Sequence, residues 1–245
     1  YTPMRKLLIF LVLGTALSIN AQKKCGKKSP PLSEASPASV GMSAERLTRI
    51  DDMCTEAIAN GEVPGMVALV VRHGKILYYK AFGKADNRGD RDLKRDDIFR
   101  IASQSKAITA TAVMMLWEQG RFRLDDPISK YIPEFKDPQV LSWFQYKDTT
   151  YSTVPATNEI TIRQLLSHVS GIGYGVIDGD ERMKMIYEKA GVTDLYTTEK
   201  ITIAESVKKL AKLPLHHNPG EKFTYSEGLD VLGYFIELVS DRKSV

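Results

Sequence analysis

The chain has 245 residues, 43% of them hydrophobic and 26% charged, enough to bury a real core and too ordinary for a disordered or fibrous protein. Its net charge of +4 is misleading, because six Lys and Arg residues and no acid lie within the first thirty positions; without those six the remainder carries −2. A mildly acidic body excludes the electrostatic footprint of a nucleic-acid binder.

Arg5-Lys6, the apolar run Leu7 to Ile19 and the small residue Ala21 read in order as a secretory signal, with Met4 as its start and residues 1–21 removed on export. The apolar run is too short for a comfortable membrane span, so the mature chain is expected in the periplasm or outside the cell with no stable span. Residues 22–40, rich in Lys, Ser and Pro, read as a flexible linker, and a domain follows over 41–245. Export permits a disulfide between Cys25 and Cys54, though nothing in their settings indicates one. His73, His168, His216 and His217 lack metal-ligand spacing, so no metal or cofactor is expected.

Ser43 caps a helix with apolar residues at Leu47, Ile50, Met53, Cys54, Ala57 and Ile58, and Gly61 ends it. Gly65 to Arg72 and Lys75 to Gly83 form a β-hairpin around His73-Gly74, and residues 85–97 form a charged loop. Ser103 opens a helix with Ala107, Ala110, Val113, Met114 and Trp117 on its apolar face, closed by Gly120. A short helix leads from Leu124 through Tyr131 to Pro133, and a hairpin is expected within 134–160. Further helices follow: Ile162 to His168 capped by Thr161, Thr202 to Leu213, and Ser226 to Ser240. The fold class is α+β, an antiparallel sheet flanked by helices plus a helical region. One hairpin is not a stable sheet, so further strands are expected to complete it.

Ser103-Gln104-Ser105-Lys106 has the form S-x-x-K. Residues three apart share a helix face, so the Lys106 amine can reach the Ser103 hydroxyl. A serine hydroxyl needs a base to become a nucleophile, and a lysine amine serves only if burial or neighbouring charge lowers its pKa. Ser103 also stands at a helix start, where the dipole favours developing negative charge. Ser206-Val207-Lys208-Lys209 and Ser240-Asp241-Arg242-Lys243 share the spacing but read as solvated faces.

Phe99 to Lys106, the segment Leu124-Asp125-Asp126-Pro127 through Phe135, the run Ile160 to Gly171 around Ser167-His168-Val169-Ser170-Gly171, and Phe223-Thr224-Tyr225-Ser226 followed by Asp230-Val231-Leu232-Gly233 carry a resemblance. Together they resemble the serine β-lactamase-related family of class C β-lactamases, penicillin-binding D-Ala-D-Ala peptidases and related esterases. The resemblance implies a β-lactamase/transpeptidase-like fold. It implies an exported serine hydrolase acting on small esters, β-lactams or D-Ala-type amides through an acyl-enzyme on Ser103. In that scheme Lys106 accepts the Ser103 proton, Tyr225 shuttles a proton to the leaving group, the Ser103 N–H forms half of the oxyanion hole, and His168 holds its loop. Two departures stand out. Glu227 occupies the substrate-binding position where the family's β-lactamases and peptidases have Asn, which tilts the reading toward esters; a carboxylate there would raise the Lys106 pKa unless it points away or Tyr225 does more of the base work. The family's Lys/His-x-Gly strand motif is absent through Val245, so the chain reads as a C-terminally truncated and impaired member. The alternative is a non-catalytic penicillin-binding-like module that keeps the fold without turnover.

Overall fold

The computed structural model describes residues 30–89, 91–195 and 197–240. The leader, its cleavage point, Cys25 and the third S-x-x-K lysine, Lys243, lie outside the described residues. The chain divides into two compact units between Phe99 and Arg100, where the sequence reads as one domain over 41–245.

In the first unit, Ser43 caps helix α1 (Ala44–Ala59) by accepting the Arg46 N–H at 3.2 Å. Strands β2 (Gly65–Arg72) and β3 (Lys75–Gly83) pair antiparallel, Gly65 against Gly83 and Leu69 against Tyr79. The turn forms at His73 and Gly74, both with positive φ (51° and 72°), which suits a tight hairpin. The third strand, β1 (Ser33–Glu34), lies parallel to β3 and comes from the stretch expected to be linker. A 3₁₀ turn over Pro37–Val40 follows it, so the described part of that stretch is structured. Proline at its first positions and Gly41 in the left-handed region just after it give that turn a defined start and stop. Leu47, Leu77 and Tyr78 form the small core, and the Tyr78 hydroxyl donates to Asp51 at 2.9 Å. Cys54 is buried and has no disulfide partner among the described residues.

The second unit is mainly helical. It contains α2 (Gln104–Glu118), the hairpin β4 (Gln139–Gln145) and β5 (Thr150–Pro155), α3 (Ile162–Leu166), α4 (Glu181–Ala190), α5 (Ile203–Leu210) and α6 (Gly228–Ser240). Capping boxes at Thr161/Gln164 and Thr202/Glu205 start α3 and α5. The short helix expected through Tyr131 is a 3₁₀ turn at Ile128–Lys130, because Pro127 and Pro133 confine it. Helix α4 has no counterpart in the sequence reading.

The core of this unit gathers on Phe235, fully buried in α6. Phe122 and Tyr131 meet it edge-on, at 5.0 and 4.9 Å between ring centroids. Val113 is the fully buried residue of α2, whereas Trp117, expected on the apolar face, is exposed. The segments Leu124–Phe135 and Ile160–Gly171 are tied together. Ile128 donates to the Ile160 carbonyl at 2.8 Å, Arg163 donates from its backbone to the Leu124 carbonyl at 2.8 Å, and the Arg163 guanidinium grips Asp125 at 2.7 and 2.8 Å. The two units together give an α+β protein of the β-lactamase/transpeptidase-like kind.

Candidate active site

Ser103 sits immediately before α2 and is exposed. Ala102, next to it, has φ 45°, a left-handed conformation that is uncommon for a residue with a side chain. Around Ser103 the second unit assembles Lys106 from the first turn of α2, Tyr225 from the loop before α6, and Tyr174 from the loop after α3.

Ser103 Oγ lies 2.8 Å from Tyr225 Oη, and the Lys106 ammonium donates to Ser103 Oγ at 3.5 Å. Lys106 Nζ also donates to Tyr174 Oη at 3.4 Å. The amine stands 5.0 Å from the Tyr225 ring centre and 5.3 Å from that of Tyr174, within cation–π range of both. Those two rings stack nearly parallel, 5.6 Å apart with 6° between planes. The three residues expected to act together, Ser103, Lys106 and Tyr225, are therefore within reach of one another. Tyr174 is the member the sequence reading missed.

Tyr174 is almost fully buried and fixed by its backbone. Asp178 accepts the Tyr174 N–H at 2.8 Å and bonds His216 Nε2 at 2.9 Å. His217 sits in the same loop system, with Nδ1 donating to the Asn218 carbonyl at 2.8 Å and Nε2 2.9 Å from Thr224 Oγ1. The Thr224 N–H in turn donates to the His168 carbonyl at 2.8 Å. The His168 ring accepts the Ser226 N–H on Nδ1 at 3.2 Å, which leaves its proton on Nε2, and packs 4.8 Å from the Tyr225 ring. Burial and the nearby Lys106 charge both depress its pKa, so it is a neutral ring holding the tyrosine loop. Gly171, at φ 84°, could carry no side chain there: a Cβ would stand 2.3 Å from the His217 carbonyl.

The electrostatics bear on which of the two groups is the better base. Burial pulls the Lys106 pKa down, but the Tyr225 and Tyr174 hydroxyls outweigh it, and the net shift is upward. Burial pushes Tyr225 up, yet hydrogen bonds with Ser103 and Lys106 overcome this and hold the phenol below its ordinary value. The two shifts agree: the site favours an ammonium at 106 and eases proton loss at 225. A lysine whose pKa is raised is the poorer base of the two.

Glu227 is buried, with its backbone N–H donating to the Gly173 carbonyl at 3.1 Å. Burial, followed by the neighbouring Asp230 and Asp194, pushes its carboxyl up to about 8, with Lys106 opposing. At neutral pH it is largely an uncharged acid. The upward shift of Lys106 comes from the two tyrosines, not from Glu227.

Among the described residues, the other two S-x-x-K serines show no hydrogen bond to a lysine or tyrosine side chain. Lys209 donates to the Gly191 carbonyl at 3.0 Å, and Ser240 Oγ donates to the Ile236 carbonyl at 2.6 Å. Among the described residues no group of His, Cys, Asp and Glu could hold a metal ion. No described helix is long and apolar enough to cross a membrane.

A family model described as Beta-lactamase matches residues 50–245. Esterase EstB of Burkholderia gladioli is 34% identical over 202 residues, covering 82% of this chain and 47% of EstB. The structure of EstCE1, described as a hydrolase with promiscuous acyltransferase activity, superposes with a TM-score of 0.66 at 30% identity, covering 80% of this chain and 48% of that one. Unliganded simvastatin synthase LovD of Aspergillus terreus shares the fold, at a TM-score of 0.63 and 23% identity over 82% of this chain and 50% of its own. The chain thus spans about half the length of the relatives it matches.

Proposed function

This chain belongs to the beta-lactamase family of serine hydrolases, and we propose that it is built to hydrolyse small esters through an acyl-enzyme on Ser103. The observation that carries the proposal is the convergence of Tyr225 Oη and Lys106 Nζ on Ser103 Oγ. The likeness to EstB, named an esterase, supports esters over β-lactams and D-Ala-type amides.

In this scheme Tyr225 takes the proton from Ser103 Oγ as the oxygen attacks the ester carbonyl carbon. Tyr225 enters this step as the phenolate, which the Lys106 ammonium, charged throughout, stabilises before the proton arrives. The Ser103 N–H, at the start of α2, donates to the carbonyl oxygen as it gains negative charge. Tyr225 then protonates the leaving alcohol as the C–O bond breaks. A water attacks the acyl-enzyme, giving its proton to Tyr225, and the acid departs as Ser103 regains a proton. Tyr225 thereby keeps the proton-shuttling role that the family resemblance implies and adds the base role that the resemblance gives to Lys106.

The expectations of export with cleavage near Ala21, and of an impaired chain, belong to the same proposal. The charged, apolar and small-residue order of the leader supports the first. The test is turnover of a short-chain nitrophenyl ester by the full chain, with a burst of nitrophenol equal to the enzyme present. Absence of both turnover and burst overturns the proposal in favour of a non-catalytic binding module.

A further inference from the structure

The His216 ring is mostly buried, with 12% of its side chain exposed. Its Nε2 lies 2.9 Å from Asp178 Oδ2, the same oxygen that accepts the Tyr174 N–H at 2.8 Å. Burial pushes the Asp178 carboxyl up, yet the His216 ring and then the N–H groups of Tyr174 and Asp180 outweigh it and hold it below its ordinary value. An ionised carboxylate only accepts, so His216 carries a proton on Nε2 and donates it to the bond. On the other side of the ring, Nδ1 stands 3.9 Å from Asp180, whose carboxylate is engaged by the Arg182 guanidinium at 2.6 Å. Asp178 is therefore the bonding partner of the ring.

Room for this contact is made in the chain itself. A Cβ on Gly173 would stand 2.6 Å from His216 Nε2 and 2.7 Å from Asp178 Oδ2, so the glycine lets ring and carboxylate close over the backbone just before Tyr174. The Gly173 peptide groups are held separately. Its N–H donates to Tyr187 Oη at 3.1 Å, and its carbonyl accepts the Glu227 N–H at 3.1 Å. The N–H of Tyr174 itself goes to Asp178. At the far end of the side chain, Tyr174 Oη receives the Lys106 ammonium at 3.4 Å, and Lys106 reaches Ser103 Oγ at 3.5 Å. Both bonds are at the long limit of hydrogen-bond geometry, so a small shift of the Tyr174 loop would break or redirect them.

We propose that His216 is a positioning residue for the hydrolytic site: by donating to Asp178 it fixes the Tyr174 loop, and through the Tyr174 hydroxyl it sets where the Lys106 ammonium stands beside Ser103 and Tyr225. His216 touches none of the reacting atoms, so it acts on the rate of the bound complex and not on substrate affinity. The inference rests on the ester-hydrolase reading and adds to it a residue, remote from Ser103, on which turnover depends.

The test is steady-state turnover of a short-chain nitrophenyl ester by the full chain, with kcat expressed per site titrated by a fluorophosphonate. Loss of folded protein then does not count as loss of rate. Both steps of the scheme pass a proton through Tyr225, so kcat reports the positioning whichever step is slower. His216→Leu, which has no donor, should lower kcat by about tenfold or more while KM changes by less than about twofold. His216→Gln, which offers an N–H at the reach of Nε2, should recover most of that loss. Tyr174→Phe should lower kcat as well, and adding His216→Leu to it should cost little more, because the two act in one chain of contacts. Should His216→Leu leave no titratable site, Asp178→Asn takes its place in the single and double variants. An unchanged kcat in the single variant, no recovery in His216→Gln, or losses that multiply in the double variant overturns the inference and leaves the ester-hydrolase reading standing. No turnover by the parent overturns both.

Discussion

Ser103 and Tyr225 stand 122 positions apart in the chain, and their hydroxyl oxygens meet at 2.8 Å. Nothing local brings them together. One lies at the N-terminal end of α2 and the other just before α6, two helices that share the core around Phe235. In the proposed scheme this contact passes the Ser103 proton to Tyr225, which is drawn toward ionisation, while Lys106, drawn toward its charged form, stabilises it.

This assignment predicts a pH signature. Tyr225 must lose its proton to act as a base, and its pKa lies below the ordinary tyrosine value of 10.0. kcat/KM for a nitrophenyl ester should therefore rise with pH along a limb centred below pH 10. Tyr225→Phe should lower kcat/KM by about 10²- to 10⁴-fold and abolish the limb. A limb unchanged in that variant would assign the base role elsewhere.

Glu227 makes a prediction about stability. Its folded-state pKa is raised to about 8 from the ordinary value of 4.5, chiefly by burial. The folded state thus holds a proton that the unfolded chain releases near pH 4.5. Stability from this group is fully present below that pH and is lost as pH rises toward 8. Glu227→Gln removes the dependence, so the variant should gain on the parent by on the order of a few kcal/mol between pH 5 and pH 9. Urea denaturation at both pH values checks it, and a constant difference would contradict the buried neutral acid.

Substrate preference follows from the same residue. Glu227 stands where the family's β-lactamases and peptidases have Asn, and in its neutral form it still offers one donor and one acceptor. The parent should prefer a short-chain nitrophenyl ester over a chromogenic cephalosporin in kcat/KM, and Glu227→Asn should shift the ratio toward the lactam. A clear preference of the parent for the cephalosporin would contradict this.

Much of this was legible in the sequence because the signals were local. The Ser43 and Thr161 caps, the His73-Gly74 turn and the apolar spacing of α1 and α6 each place an element without reference to the rest of the chain. Helix α4 was missed: Asp180 at its cap, Gly191 at its end and Met183, Ile186 and Tyr187 at helical spacing carry its signal, but its many charges obscure the pattern. Strand β1 was not legible: two residues, Ser33 and Glu34, have no periodicity, and only pairing with β3 defines them. Within the site, S-x-x-K spacing placed Lys106 near Ser103, and family likeness placed Tyr225. Tyr174 carried no such signal, because its role depends on stacking against Tyr225 and on a loop held by Asp178 and His216. The direction of the Lys106 shift was hidden for the same reason, since it depends on two phenols distant in sequence.

The core offers a separate check. Phe235 is fully buried and meets both Phe122 and Tyr131 edge-on. Phe235→Ala should destabilise the second unit by about 3–5 kcal/mol, from lost burial plus the cavity left behind. Chemical denaturation followed by tryptophan fluorescence reads this, and a change below about 1 kcal/mol would contradict the packing described.

The central claim is that Ser103 is the residue acylated, and it is tested most directly by locating a covalent adduct. The full chain is treated with a fluorophosphonate probe, digested, and mapped by mass spectrometry. A single adduct on Ser103, lost in Ser103→Ala and retained in Ser206→Ala and Ser240→Ala, is the predicted result. An adduct on another residue, or labelling that survives Ser103→Ala, would contradict it.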